Sequence, residues 1–144
     1  MSESWIPQET NSHQDHVIAH VIGATVLGHF VFDETIHLLL DIGFMWKIFV
    51  DGEMGLLPHP VATAELEVND ETRSEIRSDV DALLGHKLHA ADLRHLTQPQ
   101  VECLIQEVNF FACDDRRRLV LTGEEANLTI ETSIETAEVR IYEF

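Results

Sequence analysis

Nine histidines in 144 residues come first, because imidazole is both a common transition-metal ligand and the side chain that titrates near neutral pH. Spacing decides what they could do. His13, His16 and His20 lie three and four residues apart, so a helix would set all three on one face, within reach of a single divalent transition metal such as zinc or nickel. Neither a cysteine nor a pair of carboxylates completes that group, and the plainer reading is an exposed polar helix face. His86, His89, Asp92 and His95 step by three, which drifts around a helix and splits between two faces of an extended segment. A structural role is the expectation there. His29 and His37 sit in consecutive apolar runs. With a three-residue turn between the runs they become diagonal neighbours on one hairpin face, with Asp41 and Lys47 farther along it. That arrangement suggests a small pocket or an acid–base pair; the alternative is two satisfied histidines beneath a loop.

Nucleophilic chemistry finds less support. Cys103 and Cys113 are outside any reactive motif, and the charge of Asp114-Asp115 discourages a thiolate at Cys113. Two cysteines fit reduced thiols better than a disulfide framework. The chain has no Gly-x-Ser-x-Gly elbow, no His-Glu-x-x-His, no phosphate-cradling loop followed by Lys and no dinucleotide fingerprint. These absences weigh against an enzyme, and no cofactor is expected beyond the metal alternative.

The stronger signal is charge. Nine Lys and Arg oppose 26 Asp and Glu, for a net −17. Twelve carboxylates against Lys47 alone give −11 up to Thr72, and fourteen against eight bases give −6 from Arg73 onward. Nucleic acid and anionic membranes both require basic surfaces, so neither is an expected partner. Arg116-Arg117-Arg118 follows Asp114 and Asp115 in one turn, where local compensation is the simplest role. Asp33, Glu34, Asp51, Glu53, Glu65, Glu67, Asp70 and Glu71 fall mainly in expected turns and loops. Exposed together, they would steer a basic protein partner. The expected function is therefore noncatalytic binding of a macromolecule, as an inhibitor or immunity-type protein that neutralises a basic partner. Plain solubility is the bland alternative, and a His-based metal-binding protein, with hydrolysis as its chemistry if it is catalytic, is the functional rival.

Those residues need a scaffold, and 144 residues suffice for one core. The expected class is α+β: two antiparallel β-meanders, at about 25–51 and 101–144, a connecting helix near 71–84 and a short N-terminal helix near 13–22. Residues 1–12 read as a loosely ordered arm anchored by Trp5 and Ile6, and 13–144 as one domain. Ser12 and Asp15 have capping-box spacing; Val17, Ile18, Val21 and Ile22 would be buried, and Gly23 would stop the helix, although their β-branched density also suits a strand. In the first meander, Val26, Phe30, Phe32, Ile36, Leu38, Leu40, Trp46, Ile48 and Val50 form the expected core face, leaving His29, Val31, His37, Leu39, Asp41, Met45, Lys47 and Phe49 on a face at most half covered.

Gly52 to Pro60 reads as a loop and Ala62 to Val68 as a short strand. Asp70 would cap a helix bearing Ile76, Val80, Leu83 and Leu84 at helical spacing, with Gly85 as its stop. His86 to Leu96 is ambiguous. The second meander resembles the first in outline, with Phe32-Asp33…Leu38-Leu39-Leu40 set against Cys113-Asp114…Leu119-Val120-Leu121, which raises a weak internal duplication. The final strand, with Arg140, Tyr142 and Phe144 on one face, would invite a homodimer if its edge is open. The polar N-terminus lacks a secretory pattern and no run is long enough to span a membrane, so a cytoplasmic location is expected.

Overall fold

The structure is a computed structural model that describes residues 4–32, 34–43, 45–50, 57–61, 68–85 and 93–143, with 57–61 described as backbone. Strand β1 (Ile6–Gln8) leads into helix α1 (Ser12–Val21). Helix wins over strand here because both ends are fixed locally. The capping box lies one residue earlier than Ser12 and Asp15: Asn11 Oδ1 accepts the Gln14 N–H at 2.8 Å and Gln14 Oε1 accepts the Asn11 N–H at 3.0 Å. Gly23, at φ +89°, turns the chain out of the helix. Val17 and Val21, one turn apart, are buried; Ile22 stands at the helix end and is exposed, contrary to expectation.

Strands β2 (Thr25–Phe32), β3 (Thr35–Leu40), β4 (Met45–Phe49) and β5 (Leu57–Val61) form a meander, and β6 (Cys103–Leu104) pairs with the other edge of β2, giving the order β5-β4-β3-β2-β6. A second sheet, in the order β1-β7-β8-β9-β10, contains β7 (Glu107–Cys113), β8 (Arg116–Thr122), β9 (Asn127–Ser133) and β10 (Val139–Glu143). All strand pairings among the described residues are antiparallel. The expected loop at 52–60 is corrected in its last part, since 57–61 is strand; the expected strand at 62–68 lies outside the described residues save Val68.

Register corrects the expected faces. Phe32 pairs directly with Thr35, a connection one residue shorter than the three-residue turn expected, so Phe30 opposes His37 and His29 opposes Leu38. An irregularity between Val26 and Gly28 restores the other parity, and Val26 opposes Leu40. The inner face therefore keeps Val26, Ile36, Leu38, Leu40, Trp46 and Ile48, which pack with Phe110, Leu119, Leu121, Leu128, Ile130 and the α1 valines. Phe30 moves to the opposite face, Phe32 is exposed and Val50 lies half-buried beyond the strand.

That opposite face is better covered than expected. Helix α2 (Asp70–Gly85) lays Ile76, Val80 and Leu83 on Leu27, Phe30, Leu39 and Met45, while Leu84 faces outward. Its cap is Asn69, whose Oδ1 accepts the Thr72 N–H at 2.7 Å, rather than Asp70. The result is three layers, sheet on sheet on helix, with two apolar interfaces. After α2 the chain is held by Asp79, a buried carboxylate that accepts the N–H groups of Arg94, His95 and Leu96 at 2.7–3.1 Å. Thr97 then exchanges backbone hydrogen bonds with His29. Among the described residues, no helix is long and apolar enough to cross a membrane.

Candidate functional site

Strand β10 crosses one end of the first meander, and this crossing forms two cavities. Ala137, just before β10, sits beside Glu34, Thr35, Lys47, Phe49 and Val50 around a cavity of about 280 Å³. Two residues into β10, Ile141 meets His29, Phe30, Val31 and Phe32 of β2, Thr72 and Ile76 of α2, and His95 and Thr97 around an open cleft of about 320 Å³. At the strand end, Glu143 Oε1 accepts the Gln100 N–H at 2.8 Å. Val31 and Phe32 are 52% and 43% exposed, so the cleft offers apolar surface to solvent.

Carboxylates adjoin several of its lining residues in sequence. Glu34 follows Phe32 by two residues, in the β2–β3 turn at φ +59°; Glu71 adjoins Thr72 in the first turn of α2; Glu143 follows Ile141 by two. Glu34, Asp70 and Glu71 are all exposed, and the fold brings these three of the expected partner-binding residues to one end. Asp33, Asp51, Glu53, Glu65 and Glu67 lie outside the described residues. Glu138 and Glu143 belong to the same end and were missed, since their placement depends on β10 crossing a sheet more than a hundred residues earlier in sequence.

Several arginines are neutralised within the molecule. Arg73 pairs with Asp70 at 3.0 Å, Arg94 with Glu75 at 3.3 Å and Arg140 with Glu138 at 2.9 Å. The arginine triplet is compensated across the sheet as well as locally: Arg116 and Arg118 reach Glu131 at 3.5 and 3.1 Å, because alternation puts both on the face that Glu131 shares, and the charge of Arg116 also acts on Asp115. They also cover Trp5, whose ring lies 3.9 Å from the Arg118 guanidinium carbon and 5.2 Å from that of Arg116. Asp115 also accepts the Ser133 hydroxyl, which with Arg116 holds its carboxyl below the usual range.

The histidine groups are dispersed. His29 and His37 do not share a face; the shorter turn sends His29 inward and His37 toward the helix layer. Burial lowers the pKa of His29, partly opposed by Glu143, and its Nε2 is buried without a hydrogen-bond partner. His37 is lowered to about 4 by burial and then by Lys47, the residue opposite it on β4. Asp41 is exposed and accepts the Thr25 N–H at 3.0 Å, so the expected pocket of His29, His37 and Asp41 does not form. On α1, His16 and His20 touch edge-to-face with centroids 4.9 Å apart. Among the described residues, no three His, Cys, Asp or Glu side chains gather in a group that could hold a metal ion, the His13, His16 and His20 set included. His95 Nε2 is 3.6 Å from Glu75; His86, His89 and Asp92 lie outside the described residues. Cys103 and Cys113 are free thiols, and burial raises the pKa of Cys103.

By fold, then, the chain is an antiparallel α+β domain with an open cleft of mixed apolar, threonine and histidine lining. Comparison with protein-family models, curated proteins and solved structures gives no match.

Proposed function

We propose that this chain is a noncatalytic acidic binding protein, of inhibitor or immunity type, that captures a basic protein at the end of the sandwich crossed by β10. The observation that carries this reading is the coincidence of the cleft at Val31, Phe32, Ile76 and Ile141 with exposed carboxylates on three separate elements, Glu34, Asp70-Glu71 and Glu143. An apolar centre with a charged rim is the anatomy of a protein interface. An apolar anchor of the partner fills the cleft while its lysines and arginines meet the rim, and the net charge of −17 accelerates the encounter. A cytoplasmic location accords with the two free cysteines.

Affinity capture from the source lysate at low and high salt tests this, with the triple variant Glu34→Lys, Asp70→Lys, Glu71→Lys run in parallel. The expected result is one basic protein, stoichiometric with the bait, retained at low salt, released at high salt and lost from the variant. Retention of no basic protein at low salt, or equal retention by the variant, overturns the reading.

A further inference from the structure

Strand edges are where one protein can hydrogen-bond to another through its backbone, and natural sheets blunt the edges they do not use. Hydrogen-bond parity identifies which edge is open here. Ser133 donates to the Glu138 carbonyl, so in β10 the even-numbered residues face β9 and Val139, Ile141 and Glu143 direct N–H and C=O outward. The same alternation carried across the first sheet from the His29–Thr97 pair turns Leu57, His59 and Val61 of β5 toward β4 and leaves Pro58 and Pro60 outward. Carried across the second sheet, it leaves Pro7 as the outward residue of β1. Both edges thus have proline at each outward position, where the donor is missing. The fourth edge, β6, is two residues long. Among the described residues, strand β10 alone presents three outward residues with intact donors.

We infer that β10 is the docking edge for the basic partner, which adds to it an extended cationic segment as a further antiparallel strand. This rests on the function proposed above and specifies how that site is used. Residues opposite Val139, Ile141 and Glu143 share their face of the sheet, the face on which Val139 and Ile141 pack against the core and Ile141 borders the cleft. In the incoming strand those residues are apolar, and they alone donate to β10. The intervening residues are Lys or Arg. Charge selects this occupant over a second copy, which would bring another −17 against Glu34, Glu138 and Glu143.

The test uses the full chain and the peptide Lys-Val-Lys-Val-Lys-Val-Lys in three forms: unmodified, N-methylated on every Val, and N-methylated on the three Lys that follow a Val. Amide NMR is read at Val139, Ile141 and Glu143. The unmodified peptide is expected to bind with salt-dependent affinity and to protect these three amides from exchange. Valine methylation weakens binding by about tenfold or more, while lysine methylation changes it little. Ile141→Pro, which removes an outward donor and spares the bonds to β9, weakens the unmodified peptide similarly; the methylated peptides decide the matter should that variant fail to fold. Salt-dependent binding that ignores valine methylation and leaves the three amides unprotected overturns strand addition while leaving acidic capture intact. Absence of binding at low salt counts against both. A dimer in the free protein, with these amides already protected, assigns the edge to a second copy and overturns the inference.

Discussion

The imidazole of His37 lies parallel to the ring of Phe30, with centroids 4.5 Å apart and planes within 4° of each other. Stacking of this kind suits a neutral imidazole, and burial together with Lys47 keeps it neutral by lowering its pKa from 6.5 to about 4. Between those values the unfolded chain binds a proton that the folded chain refuses. Stability contributed by His37 is therefore complete above about pH 6.5 and falls as the pH drops toward 4, by about 3 kcal/mol at full extent. Burial lowers His29 in the same direction. Urea unfolding between pH 4.5 and 7 should show a shallower acid decline in His37→Phe than in the parent; equal slopes would remove His37 as the cause.

Asp79 holds three consecutive backbone N–H groups, those of Arg94, His95 and Leu96. Asp79→Asn keeps the shape but turns an amide donor toward those donors. A loss of about 3 kcal/mol is expected, measured by urea midpoint, with faster hydrogen exchange at residues 94–96. Exchange unchanged there would show that another group holds the segment.

Trp5 anchors the N-terminal strand beneath Arg116 and Arg118. Trp5→Ala should cost about 1 kcal/mol and open 5–10 to limited proteolysis ahead of global unfolding. A cleavage rate equal to the parent's would assign the anchoring to β1 pairing alone.

A side chain at Gly123 would meet the Ala126 carbonyl oxygen at 2.6 Å and Cys103 Sγ at 3.2 Å. Since the nearest atom is backbone, Gly123→Ala must displace the β8–β9 turn, at a cost of about 1–3 kcal/mol. Thermal unfolding gives the measure, and an unchanged midpoint would mean that the turn yields freely.

Both helices and both meanders were legible because their signals are local: apolar spacing at Ile76, Val80 and Leu83, a stop at Gly23, turn residues between β-branched runs. The faces of β2 were not. One residue less in the turn and one irregularity near Leu27 each shift parity, and neither leaves a mark in composition. A usable signal existed in Leu38-Leu39-Leu40, all fully buried, since a continuous apolar run belongs to a strand covered on both sides. Pro58 and Pro60 read as loop residues, whereas prolines two apart also fit the outer side of an edge strand. The acidic turns were visible one at a time; their meeting at one end needed the long-range crossing of β10.

The outward prolines of β1 and β5 also set a limit on growth. A sheet with two open edges can receive a strand on one side and offer one on the other, so pairing propagates from molecule to molecule. Here Pro7 closes the far side of the sheet that ends in β10, and Pro58 and Pro60 close the outer side of its neighbour. Any ladder that reaches β10 stops within the same molecule, which makes the protein a terminus for strand pairing instead of a link in a chain.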